Sequence, residues 1–326
     1  MILAGDVGGT KTRLALFDGA GPGIVAVAEE RYRSREHAGL AEILSAFVAA
    51  HPARLDRACF GIAGPVRDGR VETPNLPWVI ESRDLAARLS LPRVTLLNDL
   101  EANAFGVLTL GPADLETLNE GRPARDGNMA ILAAGTGLGE AGCYAAGGTL
   151  HPFASEGGHA DFAPRGALQA ELLAWLERRF GHVSYERVLS GPGLMNLYAF
   201  LRETGRGSED PALAEEIRSG DPAAAVARAA LDGRSALAGL ALDLFVSIYG
   251  AEAGNLALKM KATRGLYLGG GIAPKILPRL KGPGFLEAFV DKGRFREFME
   301  AIPVRVILND AAALRGAAWH ALSCGG

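Results

Sequence analysis

Chemistry is concentrated in two glycine-rich turns and one carboxylate. Asp6-Val7-Gly8-Gly9-Thr10-Lys11-Thr12 closes one apolar run and opens another, Arg13–Phe17. Gly135-Thr136-Gly137 stands between two further runs, at 129–134 and 140–146. Glycine lacks a Cβ, so backbone N–H groups at such turns can approach a phosphate closely. The Thr10 and Thr12 hydroxyls can contact phosphate oxygens, Lys11 adds a point charge, and Asp6 can hold water on a magnesium ion. Two such turns facing each other would hold one nucleotide from both sides, which suggests a two-domain kinase or ATPase. Asp99 follows the apolar run Arg93–Leu97, where side chains of an α/β layer enter a cleft. Phosphoryl transfer needs a carboxylate near the attacking hydroxyl to accept its proton.

Each feature also has a plainer structural reading. The first turn is neither Gly-x-Gly-x-x-Gly nor a phosphate loop, because Thr10 precedes Lys11. It leads into a strand rather than a helix, which excludes anion binding by a helix dipole. Taken alone it reads as a tight hairpin. Asn98 with Glu101 three positions later makes a capping-box-like helix start, compatible with a catalytic neighbour. Leu308-Asn309-Asp310 repeats the strand-then-helix pattern, and local physics does not separate Asp310 from Asp99. We read Asn309 and Asp310 as a helix cap.

The elements that must position these residues follow from periodicity. Residues 1–17 read as a hairpin and Ile24–Ala28 as a third strand. Helical spacing covers Gly39–Ala50, Asp84–Leu91 (capped by Ser82) and the stretch through Leu108, with strands at Arg57–Ala63 and Arg93–Leu97. The order β-β-β-α-β-α-β-α describes an α/β layer domain. Helices are expected at 167–180, 193–204, 211–218, 221–232 and 234–260, a strand at Gly265–Leu268 before Gly269-Gly270-Gly271, and a final strand and helix at Val304–Leu308 and 310–322. The expected division is a small α/β domain, 1–110 plus about 303–326, and a helix-rich large domain, 111–302, sharing a cleft.

The chain has 326 residues, 48% apolar and 22% charged, with a net charge of −3. That balance is globular and gives no electrostatic case for nucleic acid or an anionic membrane as partner. Cys59, Cys143 and Cys324 are scattered, with no Cys-x-x-Cys spacing, so neither a disulfide framework nor a zinc site is expected. No signal-like segment stands at the start, and no apolar run reaches the roughly 20 residues of a membrane span. The expectation is a soluble cytoplasmic protein.

Taken together, the motifs carry a resemblance. Asp-x-Gly-Gly-Thr at the start, Gly-Thr-Gly near 136 and Gly-Gly-Gly near 270, in this order, resemble the actin-like ATPase superfamily with its ribonuclease H-like fold, interdomain cleft and sugar kinases. Leu96-Leu-Asn98-Asp99-Leu-Glu101-Ala102, Ser155-Glu156-Gly157-Gly158-His159 and Tyr185-Glu186-Arg187-Val188-Leu189-Ser190-Gly191-Pro192-Gly193 resemble the sugar-binding segments of bacterial glucokinases. The resemblance spans nearly the whole chain. It implies ATP-dependent phosphorylation of glucose at its 6-hydroxyl, with Asp99 as catalytic base. Asn98, Glu156, His159 and Glu186 would bind sugar hydroxyls, charged acceptors giving the strongest bonds. Asn75, in Thr73-Pro-Asn75-Leu-Pro-Trp78, resembles a further sugar contact; its plainer reading is a proline-rigidified turn. Gly137, Gly191 and Gly270 would touch nucleotide through backbone. Magnesium would bridge the phosphates with no direct side-chain ligation, and a homodimer is implied.

Two departures narrow the resemblance. No cysteine follows His159 until Cys324, so the cysteine-rich zinc loop of related kinases is not expected, nor is the N-terminal helix-turn-helix of the related repressors. Lys11 stands where many of the closest glucokinases carry asparagine. Two rival readings stay open: a kinase for another hexose or an amino sugar, and an actin-like filament or chaperone ATPase that turns over nucleotide without sugar.

Overall fold

The computed structural model describes residues 1–19, 23–73 and 76–323 and divides into two units. The first contains Met1–Asp114, Pro152–Ala154 and the segment from Asn309 onward; the second contains Leu115–His151 and Ser155–Leu308.

In the first unit the chain runs β1 (Ile2–Val7), β2 (Lys11–Asp18), β3 (Val25–Arg33), α1 (Leu40–Ala50), β4 (Arg57–Ile62), β5 (Arg70–Glu72), β6 (Val79–Glu81), α2 (Ser82–Leu89), β7 (Val94–Asn98) and α3 (Asp99–Val107). The sheet order is β3-β2-β1-β4-β7, antiparallel from β3 to β1 and parallel from β1 to β7. Side chains alternate across a strand. Leu3 and Val7 of β1 therefore enter one core, with Ile43, Leu44 and Phe47 of α1, while Ile2 and Ala4 enter another. β3 runs five residues beyond the expected Ala28, because Glu29–Arg33 keep pairing with Lys11–Ala15 of β2 although they form no apolar run. α2 begins at Ser82 itself, with Glu81 at the cap position and no side-chain cap bond, so Ser82 is not the expected cap.

The second unit runs β8 (Leu115–Asn119), β9 (Met129–Ala134), β10 (Leu138–Ala146), β11 (Thr149–Ser155), α4 (Gly166–Phe180), α5 (Gly191–Glu203), α6 (Pro211–Ser219), α7 (Pro222–Leu231), α8 (Ala236–Met260), β12 (Gly265–Gly269), α9 (Leu277–Leu280), α10 (Pro283–Val290), α11 (Arg296–Glu300) and β13 (Val304–Ile307). Its sheet order is β11-β10-β9-β12-β13-β8. β9 pairs antiparallel with β10 and parallel with β12, as β1 does with β2 and β4. Each glycine-rich turn thus occupies the same place in its own sheet.

α8 answers to the helix expected at 234–260. It is 25 residues long and apolar enough to cross a membrane by length and composition, but 72% of its apolar window is buried inside the protein. A helix that is apolar all round suits the centre of a large core. Leu242, Phe245 and Tyr249 are each fully enclosed there.

The last strand and helix separate. β13 pairs with β12 and β8 in the second sheet. α12 (Ala312–Ser323) lies in the first unit and packs on α3. The expectation from sequence kept this pair together from about residue 303; ladder hydrogen bonds hold the strand, and apolar packing claims the helix.

Candidate active site

The first turn is fixed from beneath. Gly8 N–H donates to the Lys11 carbonyl at 3.0 Å, closing the hairpin. Ser34, fully buried just after β3, donates its N–H to the Thr10 carbonyl at 3.1 Å and its hydroxyl to the Gly8 carbonyl at 2.7 Å. The Thr12 hydroxyl lies 3.0 Å from the same Ser34 oxygen. Thr12 is buried, so its hydroxyl shapes the turn from inside, while the Thr10 and Lys11 side chains are exposed at the tip. Ser34 is a residue that sequence reasoning missed, 26 positions from the glycine it holds.

Asp6 sits opposite Arg13 in the β1–β2 register. Burial pushes the Asp6 carboxyl up to about 6, with Arg13 opposing and Asp310 adding to the rise. Arg13 binds Glu29 Oε1 at 2.7 Å, the Asp310 carbonyl at 2.6 Å and Asp310 Oδ1 at 3.2 Å. Burial alone would lower the Arg13 guanidinium, but Glu29 and Asp310 more than offset it. Among the described residues no cluster of three or more His, Cys, Asp or Glu side chains could cage a metal, so Asp6 fits a metal held mainly through water and phosphate oxygens.

Asn98 and Asp99 stand where β7 gives way to α3. Asn98 Oδ1 accepts the Leu100 N–H at 2.9 Å, and Nδ2 donates to the Gly64 carbonyl at 3.1 Å. The Glu101 carboxyl returns to the Asn98 backbone, completing the capping box; burial nevertheless keeps that carboxyl above its ordinary range. Asp99 Oδ1 accepts from its neighbour Leu100 at 3.0 Å. Gly61 on β4 admits this corner, since a Cβ there would lie 2.7 Å from Ala102 Cβ. Asn75 lies outside the described residues.

The second Asn-Asp pair divides in two. Asn309 Oδ1 accepts the Ala311 N–H at 2.9 Å, so Asn309 is a cap, as expected. Asp310 is not: its carboxylate pairs with Arg13 and Arg31 at 3.2 and 3.3 Å. Tertiary charge, invisible in the local sequence, claims it.

The second unit gathers its own set. Gly135 N–H donates to the Gly137 carbonyl at 2.8 Å, and Gly191 N–H donates to the Gly135 carbonyl at 2.9 Å. Glu186 Oε2 accepts the Leu138 N–H at 3.0 Å. A Cβ on Gly137 would overlap that carboxylate, so glycine is required for Glu186 to sit here. Ser190 locks the segment, donating to the Glu186 carbonyl at 2.7 Å and accepting from Gly193 at 2.9 Å. Gly270 has φ of +78°, and a Cβ would strike the Ala134 backbone. Nothing stands within 4 Å of a Cβ at Gly135 or Gly271, so the backbone there is open to a ligand. Thr136 is exposed at the turn tip.

Glu156 and His159 flank one 3-10 turn, closed by the His159 N–H on the Glu156 carbonyl at 3.0 Å. Both side chains are exposed. Tyr185 N–H donates to the Ala160 carbonyl at 3.0 Å, which sets the Tyr185–Arg187 turn beside it. Glu156, His159 and Glu186 therefore project from adjacent turns.

Two sheets, each with a glycine turn joining an antiparallel pair whose leading strand also pairs in parallel on its other side, define a two-domain actin-like ATPase fold. The Glucokinase family profile matches residues 3–323. A glucokinase of Nostoc sp. is 42% identical over 98% of both chains. Crystal structures agree in fold: a glucokinase from an Antarctic psychrotroph is 29% identical with a TM-score of 0.86, covering 98% of both chains. A ROK family glucokinase from Streptomyces griseus, in complex with glucose and AMPPNP, is 22% identical with a TM-score of 0.67 and also covers 98% of both. The chain belongs to the glucokinase family.

Proposed function

We propose that the chain catalyses ATP-dependent phosphorylation of glucose at its 6-hydroxyl, with Asp99 as general base. The observation that carries this reading is the place of Asp99: past the end of a parallel strand, on a helix start held rigid by the Asn98 cap. A fixed carboxylate accepts a proton from an alcohol as the oxygen attacks phosphorus. Full-length membership in the glucokinase family supports the substrate pair.

Asn98, Asn75, Glu156, His159 and Glu186 hydrogen bond the sugar hydroxyls and select among hexoses. The backbone of the turns at Gly8-Gly9 and Gly135-Gly137, with Thr10, Thr136 and Lys11, holds phosphate oxygens; Gly191 and Gly270 contribute backbone to the nucleotide. Thr12 supports them through Ser34. Asp6 would hold magnesium through water. When bound, the metal offsets phosphate charge and favours transfer. The same reading includes a small domain and a large domain, a homodimer, a cytoplasmic location and a glycolytic role.

The test is ADP release across a panel of sugars with magnesium and ATP. Turnover that requires glucose supports the reading. Turnover indifferent to sugar overturns it in favour of a filament or chaperone ATPase, and a preference for an N-acetylated amino sugar replaces the substrate.

A further inference from the structure

The second unit encloses two acidic groups that this chemistry does not use. Glu140, on β10, is 2% exposed, and Glu252, on α8, is wholly buried. The Oε1 atom of each is buried without a hydrogen-bond partner. Two facing carboxyls can hydrogen bond only when one of them carries a proton. The proton belongs on Glu140: burial first, then the charge of Glu252, pushes its carboxyl up to about 8, with Lys259 opposing. Glu252 has other partners, two hydrogen-bond donors and one ion pair. Asn255 Nδ2 lies 2.8 Å from it, Lys259 Nζ lies at 3.5 Å, and the Tyr185 hydroxyl bonds to it as well.

This pair joins two turns. At one end, a Cβ on Gly157 would overlap the Glu140 carboxyl, so that carboxyl lies directly against the turn carrying Glu156 and His159. Ser155 reinforces the contact, donating its hydroxyl to the Glu140 carbonyl at 3.0 Å and accepting from Gly157 N–H at 3.2 Å. At the other end, Asn255 Nδ2 donates to the Tyr185 hydroxyl at 3.0 Å, and Tyr185 directly precedes Glu186. Lys292 fixes Asn255, donating to its Oδ1 at 2.6 Å. Opposite Glu140, β9 presents Leu132, and Ser155 of β11 bonds to the Glu140 carbonyl; the charges that act on Glu140 come from α8.

We propose that Glu140 is a positioning residue for the sugar-facing turns: its protonated carboxyl bridges Gly157 to Glu252, and loss of that proton loosens the Glu156–His159 turn from the Tyr185–Glu186 turn. A second negative charge beside Glu252 repels it where water is scarce, and the turn pressed on Glu140 must yield. The inference rests on the reading of those turns as sugar-binding.

The experiment is the pH dependence of kcat and of KM for glucose. In the wild type, KM rises about tenfold between roughly pH 7 and 9.5, with a smaller change in kcat. Glu140→Gln keeps a donor toward Glu252 and cannot ionise, so its KM stays low and flat. Lys259, more than half exposed, can be replaced without disturbing the core. Lys259→Gln removes the charge that restrains Glu140 and moves the midpoint of the KM rise to higher pH. A purely structural role would shift thermal stability in these variants and leave the KM profile unchanged. A flat wild-type profile, a rise that persists in Glu140→Gln, or an unmoved midpoint in Lys259→Gln each overturns the inference. Absence of glucose-dependent ADP release at every pH would instead remove the functional reading beneath it.

Discussion

Asn98-Asp99 and Asn309-Asp310 are nearly the same local device. Each asparagine caps a helix start, with Oδ1 2.9 Å from the N–H two residues on. The aspartates diverge. Asp99 turns its Oδ1 back on its own helix. Asp310 spends its carboxylate on Arg13 and Arg31 of β2 and β3. Identical backbone chemistry therefore leaves the role of the next side chain undecided; a guanidinium delivered from elsewhere decides it. The sharpest test compares Asp99→Asn with Asp310→Asn. Loss of a general base lowers kcat by about a thousandfold. Asp310 is 70% exposed, and ion pairs at such sites are worth little, so its variant keeps turnover within about threefold. Glucose-dependent ADP release measures both, and equal losses would erase the distinction.

The two helices are also each other's support. A Cβ on Gly106 of α3 would enter the Ala312 backbone, and one on Gly316 of α12 would enter the Ala102 backbone. Backbone cannot move aside as a side chain can, so Gly316→Ala is expected to cost about 3 kcal/mol, at the upper end for overpacking. Urea unfolding reads this directly. An unchanged midpoint would mean that the two helix starts are not coupled through this contact.

The same interface carries an acid-sensitive group. His320 of α12 meets the Phe105 ring edge-on at 4.6 Å, and its Nδ1 is buried without a partner. Burial, then Arg93, pushes the imidazole down to about 4. Folding therefore favours the neutral ring. Its stabilisation is complete above the unfolded value near 6.5 and is lost as pH falls toward 4, by at most about 3 kcal/mol. Asp6 works oppositely: its folded value near 6 lies above the unfolded one, so its contribution fades as pH rises through 6. The readout is thus the difference in Tm between wild type and His320→Leu across this window. A constant difference would show that His320 stays charged or exposed.

What was legible in the sequence was local. The apolar runs around both glycine turns and the Asn98 capping box depend on neighbours a few residues apart, and they stand where periodicity puts them. What was not legible came from distance or polarity. Ser34 clamps a turn from the far end of β3. β8 (Leu-Glu-Thr-Leu-Asn) and the three-residue strands β5 and β6 are too short or too polar to register as apolar runs; ladder bonds alone define them. α8 was legible as a helix, but its place at the centre of the second unit's core shows only once the fold encloses it. The Glu140–Glu252 pair joins residues 112 positions apart in number, counted from 140 to 252, through side chains with no shared motif.

The smallest expected effect divides the two asparagines themselves. Removing a cap by Asn→Ala costs about 1 kcal/mol of stability. Both variants also lose one anchoring bond, Asn98 to the Gly64 carbonyl and Asn309 to Asp114 Oδ1, so their losses in chemical denaturation should be similar. Turnover should separate them. Asn98→Ala frees the corner that presents Asp99 and removes a sugar donor, so kcat/KM for glucose falls by about tenfold or more; Asn309→Ala leaves it near wild type. Equal stability losses with unequal kinetics would show that one capping device serves two ends, holding a helix at position 309 and aiming a base at position 98. Equal kinetics would mean that the aim of Asp99 does not depend on its cap.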